Sequence, residues 1–342
     1  MLASRVEVNE TVSNFLGQRK EQSERMNNRM RDNPKVSISI PLYNEEQVLP
    51  ELLRRSLAVL DELPGGPHEM VCVNDGSSDR TLELLKAAAA EDSRVVVVSF
   101  SRNFGHQAAF SAALEHATGD AVVLMDGDLQ DTPESIPQLL EKYQQGYDVV
   151  YVVRVNRKEG PVLKFCYYMF YHVIAVLADI RLPRGAGDFC LMSRRVVDEV
   201  NATPEHNRYL RGLRSWVGFR QIGVEVERAE RAAGETKYNL RRLFGLAFDG
   251  IFSFSAMPLR AATFVGGLAV LLSFCVAAYA LYGKFFLNSP QGFTALIVSV
   301  TFFAGVQLIV LGVIGEYIGR IYEETKGRPR YIVEEVVRLS ES

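Results

Sequence analysis

The sequence predicts an α/β protein built on a mostly parallel, doubly wound sheet, followed by two membrane-spanning helices. Three observations carry that prediction. Between residues 35 and 153, short β-rich runs alternate with helical patterns, as expected of strands joined by crossover helices. Polar loops follow several of those runs. Further on, two long stretches carry no charge at all.

The expected strands are 36–40, 70–73, 95–100, 121–125 and 147–153. Helix starts support the register: Ser78 or Asp79 can cap a helix opening at Arg80, and Thr132-Pro133-Glu134 places proline at a first helical position. Four loops then fall at strand ends: Pro41-Leu42-Tyr43-Asn44-Glu45-Glu46, Asn74-Asp75-Gly76-Ser77-Ser78-Asp79, Ser101-Arg102-Asn103-Phe104-Gly105 and Asp126 through Asp131. In an open parallel sheet all four share the edge where ligands bind.

Their chemistry separates this sheet from dinucleotide-binding ones. A Rossmann domain wants Gly-x-Gly-x-x-Gly after its first strand, and here stand Pro, Tyr, Asn and two Glu; no Walker lysine loop is present either. Tyr43 can stack on a base, and Glu45 and Asp75 can accept hydrogen bonds from ribose hydroxyls or a base N–H. Each also has a plainer role, Glu45 on the dipole of a helix beginning near Gln47 and Asn74-Asp75-Gly76 as turn chemistry. Asp126-Gly127-Asp128 closes an apolar strand with two carboxylates at i and i+2, hard oxygens suited to Mg²⁺ or Mn²⁺ and a diphosphate. The same triplet is an ordinary turn sequence. Four polar loops converging on one edge favour the binding reading.

Hydrophobic content of 48% is high for a soluble protein. The excess lies in 261–283 and 285–315, which contain no charged residue, so 261–282 and 293–315 are each long enough to cross a bilayer as a helix. A buried core helix pair is the alternative. Arg241, Arg242 and Arg260 precede the first span, Arg320, Lys326, Arg328 and Arg330 follow the second, and only Lys284 lies between. Both termini and the catalytic domain are therefore expected in the cytoplasm, on a multi-pass protein of the inner membrane. Residues 1–34 form a polar tail without the apolar core of a signal peptide. Segments 161–180 and 238–260 mix apolar and charged residues and suit interfacial or juxtamembrane helices; packing on the sheet is an equal alternative. Residues 316–342 are left as a cytoplasmic tail.

Four cysteines, Cys72, Cys166, Cys190 and Cys275, lack metal-ligand spacing and read as reduced structural thiols. A net charge of −3 leaves no nucleic-acid footprint. Five histidines share no ligand spacing and are taken as structural or solvated, although His106 closely follows the Arg102 loop.

The four loop motifs, with Gly187-Asp188-Phe189, Gly234-Glu235-Thr236-Lys237-Tyr238 and Gly315-Glu316-Tyr317-Ile318-Gly319-Arg320-Ile321-Tyr322, resemble family 2 glycosyltransferases of the GT-A fold. Within that family they look like the polyprenyl-phosphate branch and its bactoprenol glucosyltransferases, from about Lys35 to Tyr331. The resemblance implies that Pro41, Tyr43, Glu45 and Asp75 hold the nucleoside, with Asn44, Gly76, Ser77 and Arg102 in the same nucleotide-sugar loops. It implies that Asp126 and Gly127 approach the ribose and diphosphate, and that Asp128 and Gln130 bind Mg²⁺ or Mn²⁺. Asp188 is implied as general base.

A polyprenyl phosphate acceptor needs cations near the bilayer. Arg154 and Arg157 follow the last expected strand, and arginine's planar fork matches phosphate oxygens; Lys237 adds a point charge. A solvated or lipid-facing cluster with Lys158 is the alternative for the two arginines. A phosphate monoester has a second pKa of about 6, so much of the acceptor is already a dianion at neutral pH. Asp188 then either takes a proton, orients the acceptor or stabilises charge on the sugar, unless it merely caps a Gly-rich turn.

The expected activity is inverting transfer of a hexose, with UDP-glucose and undecaprenyl phosphate as the favoured pair, for cell-envelope glycan or glycolipid modification. GDP-mannose or UDP-N-acetylglucosamine are alternative donors, and a nucleotide-sugar sensor or lipid-sugar transporter are rivals of another class. A processive synthase is disfavoured because Gln-x-x-Arg-Trp is absent. A homo-oligomer is compatible with the sequence.

Overall fold

The computed structural model describes residues 31–154, 186–206, 208–226, 257–286 and 292–339. Its centre is a sheet of eight strands: β1 (Val36–Leu42), β2 (Glu69–Asn74), β3 (Val95–Phe100), β4 (Ala121–Leu124), β5 (Val149–Arg154), β6 (Ala186–Ser193), β7 (Gln221–Val226) and β8 (Val333–Val337). The order across the sheet is β7-β5-β6-β4-β1-β2-β3-β8. Strands β4, β1, β2 and β3 run parallel, as the alternating pattern predicts. β6 runs antiparallel between β4 and β5, and β8 runs antiparallel along β3.

All five expected strands form, with shifted ends. β1 extends through Pro41 and Leu42, so the first loop opens two residues later than the sequence suggests. The pairing of β1 with β4 ends at Ser39 opposite Leu124, so Pro41 lies beyond the β4 ladder. The last expected strand starts at Val149, not Tyr147.

Helices cover both faces. α1 (Leu49–Glu62), α2 (Thr81–Glu91) and α4 (Ile136–Gln144) pack on one, where Leu49, Leu52, Leu85 and Leu139 meet Ile38, Ile40 and Met70. α3 (His106–His116), α5 (Arg194–Ala202) and α6 (Leu210–Trp216) cover the other, where Phe110, Leu114, Val197 and Leu213 meet Val71, Val73 and Val122. Residues adjacent along one strand, such as Cys72 and Val73, thus serve opposite cores, as the two-residue period of a strand requires. Burying each such side chain contributes about 1.5–3 kcal/mol. α2 opens at Thr81, one residue after the expected Arg80, with the Thr81 N–H donated to Asp79 Oδ1 at 3.0 Å, and Pro133 begins a 3₁₀ turn that leads into α4.

α7 (Met257–Phe286) and α8 (Phe293–Thr325) pack against each other. Their apolar windows, Pro258–Tyr279 and Phe302–Thr325, are 6% and 0% buried, and Phe264, Phe274, Leu308 and Ile309 are largely exposed. A core helix pair would be covered by the sheet, and these two are not. Both are long and apolar enough to cross a membrane.

Two elements run past the expected boundaries. α8 continues through Thr325, beyond the span expected to end at residue 315. Within 316–342, Val333–Val337 completes the sheet as β8. The sequence hides this since Val-Glu-Glu-Val-Val is short and half charged, which suits an exposed edge strand. Segment 161–180 and most of 238–260 lie outside the described residues, as do Cys166 and nearly all of the N-terminal tail.

Candidate active site

The carboxyl ends of β1, β2, β3 and β4 meet at one edge of the sheet, and the first two loops are knitted together there. Asn44 sits at φ 56 and donates its N–H to Ser77 Oγ at 3.0 Å, while its side-chain oxygen accepts the Ser78 N–H at 2.8 Å. Glu45 donates its N–H to Thr81 Oγ1 at 3.0 Å. Asn44 and Ser77 therefore shape the loops that carry their neighbours. Tyr43, 49% exposed, leaves its ring open for stacking. Pro41 lies buried inside β1, beneath that ring's strand end.

The third loop is tied to the second by Asp75. It is 3% exposed, and its carboxylate accepts N–H groups from Phe104 at 2.7 Å and Gly105 at 3.0 Å. Burial pushes the carboxyl above the usual carboxylate range, against the pull of those two N–H donors and of nearby His106 and Arg102. Gly76 makes the approach possible: at φ +64, an added Cβ would lie 2.4 Å from the Arg102 carbonyl carbon. Arg102 itself is exposed, with its guanidinium 4.0 Å from the centre of the Phe104 ring.

The fourth loop seats on the end of β1. A Cβ at Gly127 would lie 2.6 Å from Leu42 Cδ2 and 3.2 Å from the Pro41 oxygen, so any side chain there would have to displace Leu42. Asp128 Oδ1 accepts the Gln130 N–H at 3.1 Å, and Leu129 adopts φ 56. That half of the triplet is turn chemistry, as one of its two readings had it. The other half is different: Asp126 Oδ1 is buried and makes no hydrogen bond, and His106 Nε2 lies 3.2 Å from it.

Asp188 reaches this edge through strand direction. β6 is antiparallel to β4 with Leu124 opposite Cys190, so two residues on from Leu124 and two residues back from Cys190 bring Asp126 and Asp188 to the same edge. Asp188 lies within β6, which removes the Gly-rich turn alternative. Its carboxylate receives a two-pronged guanidinium from Arg211 on α6, Nη2 to Oδ2 at 2.7 Å and Nε to Oδ1 at 3.2 Å. Behind it Arg214, 2% exposed, points its guanidinium at the Gly187 oxygen, both nitrogens at 3.4 Å, and lies over the Tyr151 ring. Burial works against ionisation of Asp188, but Arg211, then Arg214 and His106, hold the carboxyl below the usual carboxylate range.

Sequence reasoning missed three of these residues. His106, set aside as structural, opens α3 beside Asp126. Burial disfavours its charge, yet Asp126 beside it, with Asp188 and Asp75, raises its pKa above the ordinary value. Arg211 and Arg214 stand three apart, a spacing that puts both on one helix face; that was the available signal. Arg154 ends β5, while its side chain, Arg157 and Lys237 lie outside the described residues.

The residues fit a hard divalent cation. Among the described residues no three His, Cys, Asp or Glu side chains form a ligand cluster, so diphosphate oxygens and water would have to complete any coordination sphere around Asp128 and its neighbours. Asp126 Oδ1, buried at that place and 3.2 Å from His106 Nε2, adds a second carboxylate beside Asp128.

Residues 37–200 match the model of glycosyl transferase family 2. The chain is 47% identical over 300 residues to an uncharacterized glycosyltransferase, YkcC, of Bacillus subtilis, covering 87% of this chain and 93% of the relative. It is 42% identical over 301 residues to the bactoprenol glucosyl transferase of Shigella phage SfX, covering 87% and 98%. A mannosyltransferase of Pyrobaculum calidifontis, solved with GDP-Man and Mn²⁺, aligns over 84% of this chain and 87% of its own with a TM-score of 0.47 at 17% identity. The chain belongs to glycosyl transferase family 2, with the GT-A sheet of that family and the polyprenyl-phosphate branch that includes the bactoprenol glucosyl transferases.

Proposed function

We propose that this glycosyltransferase moves a hexose, glucose from UDP-glucose by preference, onto a polyprenyl phosphate at the cytoplasmic face of the inner membrane, inverting the anomeric centre. One observation carries the lipid acceptor. The chain leaving α8 enters the sheet beside the carboxyl end of β3, with Val333 opposite Phe100 and the Ser101 N–H donated to the Ile332 oxygen at 3.1 Å. Only seven residues separate the end of the second apolar helix from the start of β8, which runs along the strand that leads into the Arg102 loop. The donor edge is thereby held close to the membrane end of the chain. Relatives named bactoprenol glucosyl transferase support the same acceptor class.

In this reading Tyr43 stacks on the base, Glu45 and Asp75 shape the nucleoside pocket, and Asp126 with Gly127 lies along the ribose and diphosphate. Asp128 and Gln130 would hold Mg²⁺ or Mn²⁺, which when bound neutralises charge gathering on the departing nucleoside diphosphate. Arg154, Arg157 and Lys237 receive the acceptor phosphate. The attacking oxygen approaches from the side of β6, where Asp188 lies opposite the donor loop. Asp188 orients it and offsets positive charge on the sugar ring.

Nucleoside diphosphate release, followed with a panel of nucleotide sugars, tests the reading. Release from UDP-glucose that depends on both polyprenyl phosphate and a divalent cation supports it. Preference for GDP-mannose or UDP-N-acetylglucosamine would reassign the donor, and binding without turnover would leave a sensor.

A further inference from the structure

The Asp188 carboxylate is already engaged. Arg211 meets it with two nitrogens, at 2.7 and 3.2 Å, from a helix that belongs to none of the four donor loops. Such a fork fixes both the position and the plane of a carboxylate, as no single N–H can. Among the described residues, Arg211 and Arg214 on α6 and His106 on α3 are the cations that act on Asp188, while Asp126, paired with His106, lies at the same edge; Cys190 is on its own strand and the Tyr151 ring of β5 lies under Arg214.

We propose that Arg211 is a positioning residue for sugar transfer, which holds Asp188 as an oriented, ionised carboxylate while the acceptor attacks without giving it a proton. This rests on the transferase reading above and deepens it. In the step, a lone pair on the phosphate dianion oxygen forms the new bond to the anomeric carbon. The bond from that carbon to the diphosphate oxygen breaks, and its electron pair leaves with the nucleoside diphosphate. Charge balances with no proton moved, so Asp188 has no proton to accept.

α6 is held independently of Asp188. The Leu210 N–H is donated to Gln107 Oε1 at 3.0 Å, and the buried Arg208 guanidinium, just ahead of the helix, donates to the Asn201 and Thr203 oxygens at 2.8 and 2.7 Å. The helix therefore carries Arg211 to Asp188 as part of a braced element. Replacing Arg211 should leave that element in place.

The test is a double-mutant cycle on the full-length protein in detergent, with Arg211→Gln, Asp188→Asn and the pair, assayed with UDP-glucose and polyprenyl phosphate from pH 5 to 9. Arg211→Gln is expected to lower kcat about 100-fold, the scale of a lost ångström of alignment, with the donor KM within about twofold. Its acidic limb should move to higher pH, because burial then acts on Asp188 without the guanidinium. Arg211→Lys should recover part of the rate. The pair should be no slower than Asp188→Asn alone, since Arg211 acts through that carboxylate. Additive losses would overturn the proposal by giving Arg211 an independent role, and so would an unchanged pH profile with Lys no better than Gln. Thermal melting of each variant separates misfolding from lost alignment. A wild type inert with polyprenyl phosphate under every donor sinks the transferase reading itself, whereas an active wild type matched by Arg211→Gln sinks only the role of Arg211.

Discussion

The ring of Tyr331 stacks on that of Phe100, with centroids 4.8 Å apart and planes 16° from parallel. Phe100 ends β3 in the core of the sheet, and Tyr331 lies between α8 and β8. Around them Tyr331 donates its hydroxyl to Glu115, Arg330 donates to the Thr203 oxygen at 2.7 Å, and Glu324 accepts the His206 N–H at 2.9 Å. The segment that follows α8 is thus clasped to α3 and to the loop ahead of α6. Tyr331→Ala should cost about 2–4 kcal/mol through lost aromatic packing, and Tyr331→Phe, which loses only the hydroxyl bond, about 1 kcal/mol. Thermal melting in detergent checks the ranking; equal losses would show that packing on Phe100 contributes nothing.

Gly76 and Gly105 both have positive φ, but only Gly76 is crowded, so they form a matched pair. Gly105→Ala meets no atom within 4 Å, but at φ 98 and ψ 158 the backbone conformation favours glycine, so it should cost about 1–3 kcal/mol of strain. Gly76→Ala must also displace the Arg102 backbone, and with it the loop that Asp75 holds. It should lose more stability and at least about tenfold in UDP affinity. Calorimetric titration of both variants with UDP decides this, and similar affinities in the two would contradict the account.

Asp126→Asn and Asp128→Asn should each lower kcat/KM by about 10²–10³-fold, the scale of a lost electrostatic contact to the developing charge. Their effects on binding should differ from those of Tyr43→Ala. UDP titrated with and without Mn²⁺ should show that the Asp128 variant loses the metal-dependent part of the affinity, while Tyr43→Ala weakens binding equally under both conditions.

His106 gives a pH signature in the protein without nucleotide or metal. Its folded-state pKa is raised above the ordinary 6.5, since the attraction of Asp126, Asp188 and Asp75 outweighs burial. A raised histidine contributes stability in full below its unfolded value and loses it as pH rises through the folded one. The melting-temperature gap between wild type and His106→Gln should therefore narrow as pH climbs from 6 to 8. A gap that widens over that range would reverse the assigned sign.

The central parallel strands were legible because apolar runs and polar strand-end loops alternate without interruption, and the two apolar helices because nothing charged breaks them. β6 was not, since Ala-Gly-Asp at its start carries turn chemistry and only its slot between β4 and β5 makes it a strand. β8 depends likewise on its place beside β3. Of the candidate site, the four polar strand-end loops could be read from residue type and spacing, while the pairs made by Arg211 and His106 could not. Their partners are 23 residues away for Arg211 to Asp188, and in the loop after β4 for His106 to Asp126, so the pairs exist only once the chain is folded.

The destination of the sugar is the central question. Full-length protein given UDP-[¹⁴C]glucose, polyprenyl phosphate and Mg²⁺ should move label into an organic-extractable lipid, with the anomeric proton of the product showing the configuration opposite to that of the donor. Label appearing only as free glucose, or a lipid product that keeps the donor's configuration, would contradict it.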